Sequence, residues 1–143
     1  MTDGYEASPI GWVRDHVDRY LASNGEDGAV YNGIPCVVLT TTGRKTGKLR
    51  RSPLVRVRDG DRYLAVGSMG GAPKHPTWYL NLLADPDVTL QDGPDVFELR
   101  ARPLSGPERN DAWTVATSVY PEYAEYQTRT QRQIPVVALE PRA

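Results

Sequence analysis

The sequence predicts an α+β chain, rich in β structure, in which six short, mostly antiparallel strands form a small barrel with a few covering helices. Three observations carry this. Twelve prolines and thirteen glycines in 143 residues demand many turns, which a helical bundle does not need. The apolar runs are short and bounded by turn residues. Their order reads as helix, three strands, helix, two strands, two helices, strand, with no internal repeat.

Residues 1–33 read as an N-terminal tail and amphipathic helix, and residues 34–143 as the barrel, one domain overall. Met1 to Ala7 carry no helix or strand pattern. Ser8-Pro9 is a helix start, with Ser8 as cap and Pro9 in the first turn. Ile10, Val13, Val17 and Leu21 recur at helical spacing, and Asn24 to Gly28 ends the helix.

Pro35 to Thr42 is the first strand. A basic turn follows, and Leu49 to Arg58 is the second strand. There Val55 and Val57 point one way, Arg56 and Arg58 the other. Pro53 cannot donate to a ladder, so it marks an edge or a bulge. Asp59-Gly60 is a hairpin signal, and Arg62 to Ser68 returns as the third strand.

A small-residue loop, Gly67 to Lys74, leads into a helix that starts near His75-Pro76 and carries Trp78, Tyr79, Leu82 and Leu83. Asp85-Pro86 ends it. Val88 to Gln91 and Val96 to Arg102 form a hairpin. Phe97, Leu99 and Ala101 alternate with Glu98, Arg100 and Arg102, so one face is wet. Ser105 and Glu108 have capping-box spacing before a helix with Trp113, Ala116 and Tyr120 along one side. Pro121 breaks it, a short helix carries Tyr123 and Tyr126, and Ile134 to Leu139 closes the fold.

A single cysteine, Cys36, agrees with a reducing compartment. No apolar run is long enough to span a membrane and no signal peptide is visible. The expected location is the cytoplasm, with peripheral membrane contact through the first helix as a further option. Two widely spaced histidines and one cysteine make no zinc signature, so no metal is expected. His16 and His75 read as cap or surface residues. No nucleophile–base pair stands out.

The chemistry concentrates in two places. Five of the eight residues from Arg44 to Arg51 are cationic, and no acid occurs between Asp27 and Asp59. The whole chain carries −1, but without those five cations 12 basic residues face 18 acidic ones, a balance of −6. Such a hairpin, with threonine hydroxyls and turn amides, suits a multiply charged anion such as phosphate or polycarboxylate. It is not a Walker loop, because Lys48 is followed by Leu49 rather than by a hydroxyl. The second place is Tyr120, Tyr123 and Tyr126, which suit a flat heteroaromatic group and its reaction partner.

The segments 40–54 (TTTGRKTGKLRRSPL), 67–82 (GSMGGAPKHPTWYLNL) and 120–127 (YPEYAEYQ), with Ile134-Pro135-Val136-Val137, resemble the deazaflavin-dependent nitroreductase family of actinobacteria. The resemblance runs from about Ile34 to Pro141. It implies a split β-barrel of the FMN-binding kind, and coenzyme F420, a 5-deazaflavin with a phosphate and an oligoglutamate tail. It further implies that Arg44, Lys45, Thr46, Arg50, Arg51 and Ser52 hold the phosphate and tail. Val66, Gly67, Ser68 and Met69 would lie beside the ring, and Thr77, Trp78, Tyr79, Leu80 and Asn81 would be the next contacts. Tyr120 and Tyr126 would line the substrate side with Val55, and Tyr123 would touch both. Two departures stand out: some nitroreducing members have tyrosine at Val55 and lysine at Met69.

The expected activity is hydride transfer from reduced F420 to a small electron acceptor, a quinone, a nitroaromatic or a similar conjugated molecule. Ser68, Tyr120 and Tyr123 are the expected catalytic residues. The alternatives are an FMN-binding reductase on the same barrel, or a non-enzymatic module that carries the cofactor. Nucleic acid is not an expected partner, because the chain is net acidic. Monomer and weak homodimer both remain open.

Overall fold

The structure, a computed structural model, describes residues 11–23, 30, 31 and 34–142. The expected tail, the Ser8-Pro9 start, Ile10 and the Asn24–Gly28 loop lie outside the described residues.

The elements in order are α1 (Gly11–Ala22), β1 (Val30–Tyr31), β2 (Ile34–Thr42), β3 (Leu49–Val55), β4 (Arg58–Asp59) and β5 (Arg62–Val66). A 3-10 turn (Met69–Gly71) precedes α2 (Thr77–Ala84). Then come β6 (Asp87–Asp92), β7 (Asp95–Pro103), α3 (Gly106–Val119), α4 (Glu122–Thr128) and β8 (Val136–Pro141). Among the described residues there are eight strands rather than six, the additions being the two-residue β1 and β4. The expected closing strand from Ile134 begins two residues later.

Every pairing is antiparallel. β2 lies between β3 and β6, and the sheet continues through β7, β8 and β5 to β4. β3 and β4 therefore stand at opposite ends of an open pairing path, although only residues 56 and 57 separate them. The Arg56 N–H donates to Pro35 O at 2.8 Å, and the Leu64 N–H donates to Val57 O at 3.0 Å.

Strand alternation gives the sheet two apolar faces. Val37, Leu39, Leu90, Leu99, Val137 and Leu139 form one cluster, sealed by Trp78 and Leu82 of α2. Leu64, Val66, Val136 and Ala138 point the other way, into a cluster capped by Ala112 and Ala116 of α3 and Tyr123 of α4.

α1 packs on the sheet through Val17 and Tyr20 against Val38, with Leu21 beside them. The Tyr20 hydroxyl accepts the Gly93 N–H at 2.6 Å and lies 3.1 Å from Gln91 O and 3.3 Å from Cys36 O, one of which takes its proton. This phenol ties α1 to β2 and to the β6–β7 turn. The helix spends the described part of its apolar stripe on the sheet. His16, expected as a cap or surface residue, is buried at 6 % exposure. No described helix is long and apolar enough to cross a membrane.

The capping box at α3 does not form. Ser105 is the N-cap but makes no side-chain cap bond. Glu108 instead accepts two bonds from Arg102, at 2.8 and 2.9 Å, and one from Arg62 at 3.2 Å. These hold its carboxyl down at about 2. A charged partner across the sheet outcompetes a local amide for the same oxygen.

Candidate active site

The basic turn is a compact hairpin end. The Gly43 N–H donates to Lys48 O at 2.7 Å and the Gly47 N–H to Gly43 O at 2.8 Å. Gly47 has φ +72°, a conformation most side chains disfavour. Thr46 turns its hydroxyl inward, accepting the Lys48 N–H at 3.2 Å. Residues 44 to 48 are exposed, so the cations stand in solvent. Arg50, Arg51 and Ser52 are half-buried on β3, paired with Thr41, Thr40 and Leu39.

Asn81 connects this turn to α2. It is 1 % exposed. Its Oδ1 accepts the Arg44 N–H at 3.1 Å and an Arg44 guanidinium N–H at 3.4 Å. Its Nδ2 donates to Thr41 Oγ1 at 3.3 Å. Within the same helix Trp78 is core, Thr77 is exposed, and Tyr79 and Leu80 are half-buried. The expected stretch Thr77 to Asn81 thus divides into core, surface and one residue that braces the turn.

The loop after β5 is held differently. Val66, Gly67 and Ser68 are buried, whereas Met69 is 53 % exposed and has φ +43°. A side chain at Gly67 would put its Cβ 2.7 Å from the Pro135 ring. Arg132 clasps the loop: it donates to Gly67 O at 3.0 Å, Ser68 O at 2.9 Å and Ala72 O at 2.9 Å, and meets His75 Nδ1 at 3.1 Å. Sequence reasoning missed this residue, because an isolated arginine in the polar stretch after α4 carries no local signal. His75 is a bonded partner rather than a free surface residue, and burial, with the Arg132 charge added, pushes its protonation below the usual histidine value.

The three tyrosines do converge. The Tyr120 and Tyr123 rings meet edge-on at 4.9 Å between centroids, with Tyr126 at 6.2 and 6.4 Å from them. The hydroxyls of Tyr120 and Tyr126 are 3.3 Å apart. Tyr123 is 4 % exposed, and burial followed by its two tyrosine neighbours pushes its hydroxyl pKa well up. It therefore stays protonated at neutral pH and cannot serve as a base. Val55 packs against the same cluster as Tyr120 and Tyr126.

These segments sit on neighbouring elements. Val55 and the cationic turn occupy opposite ends of β3. Six residue steps separate Leu49 from Val55, about 20 Å of strand. The 3-10 turn lies on α4, since a Cβ on Gly71 would fall 2.6 Å from Tyr126 O. Asn81 joins the turn to α2, Arg132 joins the loop to the segment after α4, and Val55 joins β3 to the tyrosines.

The model of a family described as F420H(2)-dependent quinone reductase matches residues 12–141. The chain belongs to this family. An F420H(2)-dependent quinone reductase of Mycobacterium tuberculosis H37Rv is 41 % identical over 131 residues, 89 % of this chain and 88 % of the relative. A solved F420-H2 dependent reductase is 51 % identical with a TM-score of 0.70, covering 74 % of this chain and 94 % of that one. A second structure, described as a domain-swapped dimer, is 48 % identical with a TM-score of 0.73, covering 93 % and 100 %. The expected family, coenzyme and reaction class agree with this membership.

A quinone reductase dependent on F420 must hold a long polyanion and a flat ring together, and the residues here fit that demand. The exposed cations at one end of β3 match a phosphate and carboxylate tail. Val55, at the other end, packs on the apolar cluster that contains Val66 and Tyr123. Among the described residues no cluster of histidine, cysteine and carboxylates could hold a metal.

Proposed function

We propose that the chain is an F420-dependent reductase that passes a hydride from the reduced coenzyme to a small conjugated acceptor, a quinone first and a nitroaromatic second. The observation that carries this reading is the single strand β3, which leads from the braced cationic turn to the apolar cluster that contains Tyr123. Bound F420 supplies the hydride from C5 of its ring.

The protein binds, orients and excludes water. Arg44, Lys45, Thr46, Arg50, Arg51 and Ser52 hold the phosphate and tail. Val66, Gly67, Ser68 and Met69 lie along the ring, and Thr77, Trp78, Tyr79, Leu80 and Asn81 frame it from α2, with Trp78 and Asn81 acting from within the fold. Val55, Tyr120 and Tyr126 line the acceptor side. Ser68, Tyr120 and Tyr123 are the hydroxyls that hold the acceptor oxygen or help to protonate it. Apolar Val55 and Met69 favour a flat, weakly polar acceptor.

We further propose that the sheet curls into a split barrel. Residues 56 and 57 support this, because Arg56 bonds to the β2 side and Val57 to the β5 side of the same run. A homodimer is the expected assembly, on the strength of the relative described as a domain-swapped dimer.

Fluorescence titration with oxidised F420 tests the reading, followed by assay of the reduced form against a panel of quinones and nitroaromatics. The double variant Arg44→Ala, Lys45→Ala should lose about 1–3 kcal/mol of coenzyme affinity, the scale of charged hydrogen bonds. Tighter binding of FMN than of F420, with equal affinity in wild type and double variant, would replace this reading by the FMN-dependent one.

A further inference from the structure

We propose that Arg132 is a positioning residue of this site: by drawing the carbonyls of Gly67, Ser68 and Ala72 to one side of the loop, it turns the amides of Ser68 and Met69 to the other side as a paired donor for the electron-rich edge of the deazaflavin ring. The proposal rests on the deazaflavin reading above and assigns a role to a residue outside every segment that suggested it.

The geometry follows from the peptide unit. No described peptide bond is cis. In a trans unit the N–H lies opposite the C=O. The carbonyls of Gly67 and Ser68 both point at Arg132, 3.0 and 2.9 Å from its Nη atoms. The N–H groups of Ser68 and Met69, in those same two peptide units, point away from it.

The backbone angles agree. Ser68 is right-handed helical (φ −76°, ψ −40°) and Met69 has φ +43°. A non-glycine residue with that φ persists only when its surroundings enforce it; here the Gly71 N–H donates to Ser68 O at 2.8 Å and the Ala72 N–H to Met69 O at 3.1 Å, and Arg132 adds contacts on both sides of Met69. Asparagine or glycine would enter this conformation more easily, so the methionine is kept there against its own preference.

The charge of Arg132 adds to the effect. Among the described residues it meets three carbonyls and a ring nitrogen and no carboxylate. Its positive field is therefore not cancelled locally. A planar guanidinium can meet three carbonyls and a ring nitrogen at once, and a lysine ammonium cannot reproduce that fork.

The test uses Arg132→Lys and Arg132→Met in the full chain, with melting temperature, fluorescence titration and steady-state kinetics measured together. Titration uses oxidised F420 and, separately, its deazaflavin chromophore without phosphate or tail. Both variants should bind both ligands at least tenfold more weakly, with equal losses for the two ligands, because the defect is at the ring. Methylguanidinium added to Arg132→Ala should restore part of the affinity. A folded Arg132→Lys or Arg132→Met protein with wild-type affinity, kcat and KM would overturn the proposal. So would a loss seen for F420 and absent for the chromophore. Should the Met and Ala variants fail to fold, Arg132→Lys decides by the same readings; failure of all three to fold would assign Arg132 to stability alone and overturn the proposal. Wild type that binds neither ligand would overturn the deazaflavin reading itself, a result distinct from any of these.

Discussion

Asn81 holds Arg44 in place from across the fold. One buried carboxamide, 37 residues away in sequence, accepts both the backbone N–H and the guanidinium of Arg44 while donating to Thr41. The most exposed part of the candidate site is thus fixed by one of the least exposed side chains. Replacement by leucine keeps the volume but leaves buried polar partners unmet. Asn81→Leu is expected to lose about 1–3 kcal/mol of stability, read by urea denaturation. It should also weaken F420 binding, although no cation is removed. Unchanged affinity in the folded variant would detach α2 from the cationic turn.

Tyr120 and Tyr123 should separate in their effects. Tyr120→Phe removes a hydroxyl that touches Tyr126 at the half-exposed side of the cluster. It is expected to lower kcat while F420 affinity stays within about twofold, a change under 0.5 kcal/mol. Tyr123 sits in the core between Trp113 and Tyr120. Tyr123→Ala should cost about 3–5 kcal/mol of stability, as large aromatic truncations do, and Tyr123→Phe far less. A lowered kcat in Tyr123→Phe at unchanged stability assigns its hydroxyl to the acceptor. An unchanged rate leaves Tyr123 as packing.

The strands with clear alternation, such as Phe97 to Arg102, were legible in the sequence, and so was the basic turn, because each rests on neighbours in the chain. The approach of Tyr123 to Tyr126 followed from helical spacing, whereas Tyr120 lies between α3 and α4 and is brought in by the turn at Pro121. What could not be read was every link set by tertiary contact. Arg132 reaches back some 60 residues to Gly67 and Ala72. Tyr20 bonds to Gly93 across 73. Glu108 had the spacing of a local cap and took two arginines instead. In each case a polar group chose a partner that only the folded sheet brings near, and His16 was buried by the same packing.

Gly71 should be intolerant of any side chain. It has φ +85°, and a Cβ there would meet Tyr126 O at 2.6 Å and the Arg129 Cβ at 2.9 Å. Gly60 has φ +65° with open space around it. Gly60→Ala should cost about 1–2 kcal/mol from left-handed strain alone, and Gly71→Ala clearly more, since backbone must also move. Melting temperatures of the two variants give the comparison. Equal shifts would mean that the 3-10 turn and α4 part without cost.

Stability should depend on pH through His75. Its Nδ1 lies against Arg132, and burial, with that charge added, lowers its protonation in the folded chain below the usual 6.5. As pH falls past about 6.5 the unfolded chain takes up a proton that the folded chain refuses. The contribution is therefore complete above that value and is lost as pH drops toward the lower folded one. Urea midpoints at pH 7.5 and 5.5 should differ more for wild type than for His75→Asn, which keeps an acceptor near the Nδ1 position but does not titrate. Parallel shifts in the two proteins would show that His75 is protonated equally in both states.

β8 comes last among the described elements, yet it lies inside the sheet, between β7 and β5. During synthesis the hairpin of β6 and β7 can pair with β2 as it emerges, but β5 waits for its neighbour until about residue 141 has been made. The two halves of the molecule are then joined by four buried residues, Val136 to Leu139. Pairing across the sheet is therefore committed only after β8 is made, and without Val136 to Leu139 both β5 and β7 would lose a ladder partner.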